Sequence, residues 1–314
     1  MNSVPMRDGY GKALLSLCGE RDDIVVLDAD VAKSTRTVWI RDKYPEKFMD
    51  MGIAEQDMVG TAAGLALSGM VPFVSTYCVF LAGRAWDQIR TTVCYNDLNV
   101  KFGGAHAGIS VGPDGATHQS LEDVALARVL PNMTVIVPCD AEETRKATLA
   151  AAAMQGPCFI RFGREAVPVI TDENTPFELG KARLVRKGKD VTVFANGALV
   201  YESMLAAERL AGEEIAVQIY DLHTVKPLDE ETILAAAKES GCIVTAEEHQ
   251  MAGGMGSAVA EYLVRNCPVP MEMVGINDSF GESGQPAELM KKYGLNSDVI
   301  EEKIRSALQR KKTE

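Results

Sequence analysis

The sequence lacks any Cys-x-x-Cys pair, although it contains seven cysteines. Such pairs are common in zinc sites, and a disulfide framework uses cysteines in even numbers, so this pattern favours neither. Most of the cysteines have apolar neighbours, as Cys94 and Cys242 do. We therefore expect buried, reduced thiols and a cytoplasmic location.

The chain also has no long apolar run and no excess of positive charge. No stretch of about 18 apolar residues occurs, and the first residues lack the apolar core of a signal peptide, so we expect no membrane span and no export. With 32 basic and 44 acidic residues, the net charge of -12 argues against nucleic acid or an anionic membrane as a partner. A local group of basic residues can still hold a small anion.

A phosphate-binding motif for a nucleotide is missing as well. The glycines of Gly253-Gly254-Met255-Gly256-Ser257 follow a predicted strand. Their spacing is that of neither the dinucleotide fingerprint nor the phosphate loop with its Lys-Ser/Thr. They are typical of a tight turn between a strand and a helix.

What the chain does have is an alternation of short apolar strands and helical patterns from end to end. This pattern indicates an α/β fold in which each domain is a mostly parallel sheet with helices on both faces. The 314 residues suffice for two such domains. We predict a first domain over 1–165, a linker over 166–189 that is rich in proline, glycine and charge, and a second domain over 190–314. The predicted strands are 24–27, 71–74, 100–102, 134–137, 191–195, 216–220, 243–246 and 271–274. The predicted helices are roughly 8–19, 54–68, 82–95, 120–130, 141–153, 199–211, 229–239, 254–265, 286–292 and 297–309.

Glu55 stands at the start of a predicted helix that consists almost wholly of small and apolar residues. Such a helix must be buried, and a partly desolvated carboxylate at its start is suited to shuttle a proton near neutral pH. The alternative is an acid that only stabilises the helix N-terminus through the helix dipole.

A loop over 103–119 combines glycines with groups that titrate. It holds Asp114 and two of the four histidines of the chain, His106 and His118. Glycines allow the backbone to approach a ligand closely, and histidine transfers protons near neutral pH. The loop therefore favours a functional role over a plain connection. A metal site has less support, because no third ligand has a useful spacing.

Aromatic and basic residues supply further candidates. Tyr77 and Phe80 follow a predicted strand, where ligands bind in open α/β sheets, so either ring could stack on a heterocycle or simply pack in the core. Four residues are candidates for holding an anion, although each taken alone is typical of a protein surface: Arg7, Ser34, Arg161 and Arg164.

Together these motifs resemble the thiamine diphosphate enzymes of the transketolase family. The combination of Gly52-Ile53-Ala54-Glu55-Gln56 with Asp114-Gly115-Ala116-Thr117-His118-Gln119 carries the resemblance. The resemblance spans essentially the whole chain but only the C-terminal half of a full-length transketolase. That half consists of the pyrimidine-binding domain and the C-terminal domain.

The resemblance implies a role for each candidate residue. Glu55 matches the catalytic glutamate that hydrogen-bonds N1′ of the cofactor's aminopyrimidine. Phe80 matches the aromatic residue that stacks on that ring, with Tyr77 beside it. Asp30 matches an aspartate near the cofactor. His118 and Asp114 match residues that contact the hydroxyls of the donor ketose, and His106 matches a histidine near its phosphate end. Both histidines would orient the sugar and transfer protons. The residues that resemble phosphate contacts are Arg164, Ser34 and Arg7.

Four positions depart from the family pattern. Gly83 stands where full-length transketolases have another aromatic, and Asp57 replaces a common histidine. Pro113 and Ala116 alter the Gly-Glu-Asp-Gly-Pro-Thr-His form. The segment from Phe80 to Gln88 also resembles the deoxyxylulose-phosphate synthases. These departures leave the substrate less defined than the cofactor.

The family's diphosphate-binding domain carries a Gly-Asp-Gly motif, and this sequence contains none. The resemblance therefore implies one subunit of a split enzyme, active only beside an N-terminal transketolase subunit in an α2β2 assembly. The Mg²⁺ or Ca²⁺ and the diphosphate would be bound mainly by that partner, and no residue of this chain is predicted as a metal ligand. The implied reaction transfers a two-carbon ketol unit from a ketose phosphate to an aldose phosphate.

Three alternatives share parts of this pattern. They are the β subunit of a 2-oxoacid dehydrogenase E1 component, a deoxyxylulose-phosphate synthase, and a non-catalytic scaffold subunit. The Asp-Gly-x-Thr-His-Gln form and His106 favour a transketolase over the first two, and the full set of site residues argues against the third. The identities of both sugars, the pathway, the partner chain and the role of the second domain stay open.

Overall fold

Two sheets organise the chain, and each is built mainly from parallel strands. The computed structural model describes residues 2–313, so Met1 and Glu314, at the outer ends of the two predicted domains, lie outside the described residues. The strands are β1 (Ser3–Pro5), β2 (Ile24–Asp28), β3 (Phe48–Asp50), β4 (Val71–Tyr77), β5 (Lys101–Ala105), β6 (Thr134–Ile136), β7 (Cys158–Arg161), β8 (Ala166–Pro168), β9 (Arg183–Arg186), β10 (Val191–Ala195), β11 (Val217–Asp221), β12 (Thr224–Lys226), β13 (Ile243–Gln250) and β14 (Met271–Ile276).

Helices connect most of these strands. The α-helices are α1 (Met6–Glu20), α2 (Ala32–Thr35), α3 (Val38–Lys43), α4 (Glu55–Leu67), α5 (Trp86–Gln88), α6 (Asp123–Arg128), α7 (Ala141–Ala153), α8 (Leu199–Ala211), α9 (Glu230–Ser240), α10 (Met255–Asn266), α11 (Pro286–Lys292) and α12 (Ser297–Thr313). Two π-helical stretches, Phe80–Arg84 and Ile89–Cys94, flank α5. Short 3₁₀ segments are Pro45–Lys47 and Ile109–Asp114, the latter kinked at Gly112.

The first sheet has seven strands in the order β12-β6-β7-β5-β4-β2-β3, and the second has five in the order β14-β13-β10-β11-β9. In the first, every pairing is parallel except that of β12 with β6. In the second, only the edge strand β9 is antiparallel. This architecture confirms the fold class predicted from the sequence.

Side-chain caps explain why some helix ends were predictable. The Asp140 carboxylate accepts from the Glu143 N–H at 2.9 Å, and the Glu143 carboxylate accepts from the Cys139 N–H at 2.7 Å. These bonds satisfy one backbone donor of the first turn of α7, the Glu143 N–H, and one just before the helix, the Cys139 N–H. At the start of α9, Asp229 accepts from the Thr232 N–H in the same way.

The two halves of the chain share structure rather than only a linker. Strand β12 comes from the second half but pairs with β6 of the first sheet, with Thr224 opposite Ile136. Leu222 and Val225 pack in one buried cluster with Val135 of the first half. Within the stretch 166–189, β8 pairs with β1 and β9 joins the second sheet. The predicted division at 165 and 189 stays a prediction.

Two expectations from the sequence concern the state of the cysteines and a membrane span. All seven cysteines, each in the described part of the chain, are free, and all except Cys267 are buried. Among residues 2–313, no helix combines the length and the apolar character needed to cross a membrane.

Candidate active site

The predicted site residues gather at one edge of the first sheet. Strands β7, β5, β4, β2 and β3 are consecutive neighbours in that sheet and run parallel, so their carboxyl ends lie together. Open α/β sheets bind ligands at this edge. Asp30 and Ser34 follow β2, and Glu55 follows β3. Tyr77 is the last residue of β4, and Phe80 lies three residues beyond it. His106 follows β5, and Arg164 follows β7.

Glu55 is the first residue of α4, and its side chain is only 1% exposed. Its Oε2 accepts a hydrogen bond from Nη1 of Arg84 at 2.7 Å. The same guanidinium lies over the ring of Phe80, with Cζ 4.6 Å from the ring centroid. Arg84 therefore stands between an aromatic face and a buried carboxylate.

Sequence reasoning missed this role of Arg84. The only local signal was its position one helical turn after Phe80, which allows the two side chains to share a face. The partner carboxylate comes from a different helix, and no local pattern connects the two.

Four aromatic rings line the same region. Tyr77 stacks on His106, with ring centroids 4.4 Å apart and planes at 16°, and on Phe80 at 6.2 Å. His118 meets Phe80 edge-on, with centroids 5.2 Å apart. The structure thus brings together the aromatic residues and both histidines that the sequence singled out, which form a polarisable wall beside Glu55 and Arg84.

A chain of polar contacts continues from this wall. Nη1 of Arg7 lies 3.3 Å from Nε2 of His106 and donates to the Ser34 carbonyl at 3.3 Å. The Ser34 hydroxyl lies 3.0 Å from that of Tyr77. Asp30, Ser34 and Tyr77 also line one pocket of about 270 Å³. Tyr77, predicted to bind cofactor, is therefore in direct contact with Ser34 and His106, predicted to bind substrate.

His106 is held in its neutral form. Burial, and then the positive charge of Arg7, lower the pKa of the ring to about 3. A neutral ring can accept the Arg7 hydrogen bond at Nε2, which we take to place its proton on Nδ1. The His106 Nδ1 and the Arg7 Nε are buried and have no partner among the described residues. Buried polar atoms are normally paired, so these two are free to contact a ligand.

The backbone at two site residues is unusual. His106 has a φ of 54° and Asp30 a φ of 61°. Residues other than glycine seldom adopt this left-handed region, and such strain is concentrated at functional sites. The structure thus has unusual backbone at two of the predicted site residues.

Arg164 and Asp114 form the outer part of the site. Nη1 of Arg164 donates to the Val111 carbonyl at 3.0 Å and lies 3.3 Å from Oδ2 of Asp114. The positive charge of Arg164 also contributes to lowering the pKa of both Arg7 and His106. Arg7 and Arg164 thus contribute to one region of positive potential suited to an anion.

Arg161, the remaining anion candidate from the sequence, does not face this region. It is buried, its Nε donates to Oδ2 of Asp123 at 3.0 Å, and its Nη2 donates to the Glu248 carbonyl at 2.6 Å. These partners satisfy the guanidinium inside the protein. The interpretation of Arg161 as a ligand-binding arginine is therefore wrong.

One group of acidic and thiol side chains has a spacing that could suit a metal ion. Cys139, Glu143 and Asp221 offer ligand atoms within 4.8 Å of one another. Arg183 already supplies the positive charge there, with Nη2 2.8 Å from Asp221 and Nε 3.6 Å from Glu143. Burial and the Asp221 charge raise the pKa of Glu143 well above its usual range. We interpret this group as a structural ion pair between the two halves.

The Arg84–Glu55 pair predicts a measurable effect on stability. Arg84→Ala leaves the buried Glu55 carboxylate without its hydrogen-bond donor, and we expect the free energy of unfolding to fall by about 1–3 kcal/mol. Urea unfolding of the purified chain measures this. Arg90→Ala is the matched control, because Arg90 is an exposed arginine of the second π-helical stretch, on the other side of α5, and forms no ion pair within residues 2–313. Equal losses in both variants would contradict the role given to Arg84.

Comparison with known proteins identifies relatives over nearly the whole length. The family described as transketolase, pyrimidine binding domain, matches residues 2–169, and that described as transketolase, C-terminal domain, matches residues 180–300. The chain is 42% identical to the putative transketolase C-terminal section of Methanocaldococcus jannaschii, over 95% of each chain. It is also 42% identical to the 6-deoxy-6-sulfo-D-fructose transketolase subunit SqwH of Clostridium sp. (strain MSTE9), over 98% of this chain and 95% of that protein.

A solved structure agrees with these matches. It is described as a split gene transketolase, inactive beta4 tetramer, and is 46% identical to this chain. The alignment covers 98% of this chain and 99% of that one, with a TM-score of 0.92. The matches confirm the resemblance drawn from the sequence motifs. They favour it over the 2-oxoacid dehydrogenase and deoxyxylulose-phosphate synthase alternatives.

Proposed function

This chain belongs to the transketolase family, and we propose that it binds the aminopyrimidine end of thiamine diphosphate and the sugar in a two-carbon transfer reaction. The position of Arg84 carries this proposal. Its planar, nitrogen-rich guanidinium lies over Phe80 and donates to buried Glu55. An aminopyrimidine offers the same combination of a flat face and a nitrogen that can share a proton, so these residues fit the group.

Four residues of this chain would hold the cofactor. Glu55 would share a proton with N1′, Phe80 would stack on the ring beside Tyr77, and Asp30 would lie near it. When bound, thiamine diphosphate supplies the electron sink for cleavage of the ketose carbon–carbon bond. The burial of Glu55 excludes water from the proton that it shares, which strengthens that hydrogen bond.

The sugar would lie along the histidines, with its charged end toward the arginines. His118 and Asp114 would contact its hydroxyls, and neutral His106 could donate from Nδ1 and orient the substrate. Arg7, Ser34 and Arg164 would hold a terminal anion by charge-assisted hydrogen bonds. We propose a ketose phosphate and an aldose phosphate as substrates. The Clostridium relative is named for a sulfonated ketose, which also carries an anionic group.

We infer that the diphosphate end of the cofactor and its Mg²⁺ or Ca²⁺ are bound mainly by a partner chain, an N-terminal transketolase subunit. The missing Gly-Asp-Gly motif supports this, as do relatives named as a section or a subunit of a transketolase. The active assembly would be α2β2, with the site between the subunits. The odd number of cysteines, all free, supports a cytoplasmic location.

The test is a transfer assay on the reconstituted enzyme. The chain is co-purified with the subunit that carries the diphosphate-binding domain, and transfer from xylulose 5-phosphate to ribose 5-phosphate is measured with thiamine diphosphate and Mg²⁺. We expect a new ketose to form without release of carbon dioxide. Carbon dioxide released from a 2-oxo acid, with no sugar exchange across a panel of phosphorylated and sulfonated ketoses, would contradict the proposal.

A further inference from the structure

The second domain contacts the loop that carries Asp114 and His118. This loop, residues 108–119, is here called the His118 loop. Oε1 of Glu248 accepts from the Ser110 N–H at 2.7 Å, near the start of the loop. At its end, Nε2 of Gln119 donates to the Glu282 carbonyl at 2.9 Å. Two separate elements of the second domain therefore hold the two ends of the loop.

The approach at Glu248 is too close to be incidental. Gly108 has a φ of 88°, and a Cβ atom at this position would lie 2.2 Å from Oε1 of Glu248. Only glycine leaves room for the carboxylate there. From the first domain, Arg161 donates to the main-chain carbonyl of Glu248 at 2.6 Å. The side chain and the main chain of Glu248 thus bind two different segments of the first domain.

The loop has hydrogen bonds of its own, such as that from Nε2 of Gln119 to the Ile109 carbonyl at 3.1 Å, but its backbone is rich in glycine. Gly108, Gly112 and Gly115 all have positive φ, and the 3₁₀ segment is broken at Gly112. Glycines lose more conformational freedom on ordering than other residues do. The contacts from outside the loop therefore add to its internal hydrogen bonds in limiting the positions of Asp114 and His118.

The neighbouring residue Glu247 shows that these contacts are specific to Glu248. Successive side chains of a strand point to opposite faces, and both residues lie on β13. The Glu247 carboxylate accepts from the N–H groups of Met255 and Gly256 at 2.7 Å each. It thus caps α10 within the second domain, while Glu248 points toward the first.

We propose that the second domain acts in the reaction by holding the His118 loop, and that Glu248 is the positioning residue through which it does so. The inference rests on the proposed function, because it takes the loop to bind the sugar. Glu248 itself would contact neither substrate nor cofactor. It acts through the Ser110 N–H, by limiting the positions that Asp114 and His118 can adopt.

Burial indicates which feature of Glu248 is needed. Burial raises the pKa of its carboxyl, against the opposing effects of Arg161 and the Ser110 hydrogen bond. What the Ser110 N–H needs is an acceptor oxygen at the right distance, and a glutamine supplies one. An aspartate keeps the charge but is shorter by one methylene, so its oxygen falls short of Ser110. The length of the side chain at position 248, rather than its charge, should therefore decide the effect of each substitution on the reaction.

The experiment compares Glu248→Gln, Glu248→Asp and Glu248→Ala in the reconstituted two-subunit enzyme. We expect Glu248→Asp and Glu248→Ala to raise the KM for the donor ketose about tenfold or more, with the KM for thiamine diphosphate unchanged. Glu248→Gln should stay close to the wild-type enzyme. Glu247→Gln is the matched control, since it is a buried acid of the same strand whose contacts stay within the second domain, and it should leave the donor KM unchanged.

Hydrogen exchange supplies a readout besides activity. The Ser110 amide should be protected in the wild-type enzyme and in Glu248→Gln, and should exchange faster in Glu248→Asp. A wild-type complex without transfer activity would refute the proposed function and this inference with it. An active wild-type complex in which Glu248→Asp keeps the donor KM and the protection of Ser110 would refute this inference alone. So would a Glu247→Gln variant that shows the same rise in KM.

Discussion

Glu55→Gln is expected to lower the turnover number of the two-subunit enzyme by more than about a hundredfold, the range assigned to a positioned general acid–base. Glutamine has nearly the shape of glutamate but cannot share a proton with N1′ of the cofactor. In the chain without cofactor its carbonyl oxygen can still accept from Arg84, so the variant keeps the packing of this residue while proton transfer is lost. The measurement is the steady-state turnover number at saturating thiamine diphosphate and both sugars.

Asp57→Asn is the matched control for this variant. Asp57 belongs to the same first turn of α4 but is exposed. Removing its charge changes the helix terminus about as much as Glu55→Gln does, so turnover should stay near the wild-type value. Near-normal turnover in Glu55→Gln at saturating cofactor would show that Glu55 is only a helix-terminal acid. Equal losses in both variants would point to the helix terminus rather than to a shared proton.

The isolated chain is expected to bind thiamine diphosphate at least about a hundredfold more weakly than the two-subunit enzyme does. Charge-assisted hydrogen bonds and a metal ion give phosphate groups most of their affinity, and we assign these to the partner. The chain itself would contribute the ring of Phe80 and the carboxylate of Glu55. Titration calorimetry in the presence of Mg²⁺ measures both affinities.

Thiamine without its diphosphate makes this test sharper. If the isolated chain recognises only the pyrimidine end, thiamine and thiamine diphosphate should bind it with similar affinity. The two-subunit enzyme should prefer the diphosphate strongly. Tight, Mg²⁺-dependent binding of thiamine diphosphate by the isolated chain would mean that a diphosphate site exists in this sequence after all.

Elements with their own local signals were the predictable part of the fold. The helices predicted over 141–153, 199–211 and 286–292 have those bounds in the structure. For α7 the reason is the Asp140 cap, which depends on neighbours in sequence. Strand β7 (Cys158–Arg161) was missed, although it is as long as several strands that were predicted. Strand β12 was missed because its partner β6 lies far away in the sequence.

The candidate site shows the same division. Motifs led to the residues at the carboxyl ends of the strands, because glycine, histidine and acidic residues are close together there in sequence. The ion pair between Glu55 and Arg84 and the contact between Glu248 and Ser110 join different helices or different domains. No local pattern encodes such pairs, since they exist only once the chain has folded. The sequence therefore indicated the candidate site residues better than it indicated the contacts that fix their positions.

Because strand β12 pairs with the first sheet, the two halves of this chain cannot be separated cleanly. A cut near residue 175 would give two pieces that look like separate domains. The first piece would lose β12 from the edge of its sheet, and the bare edge of β6 would be a template for unrelated strands and for aggregation. The second piece would carry an unpaired strand. We expect these two domains to be passed on together, as a single unit of inheritance.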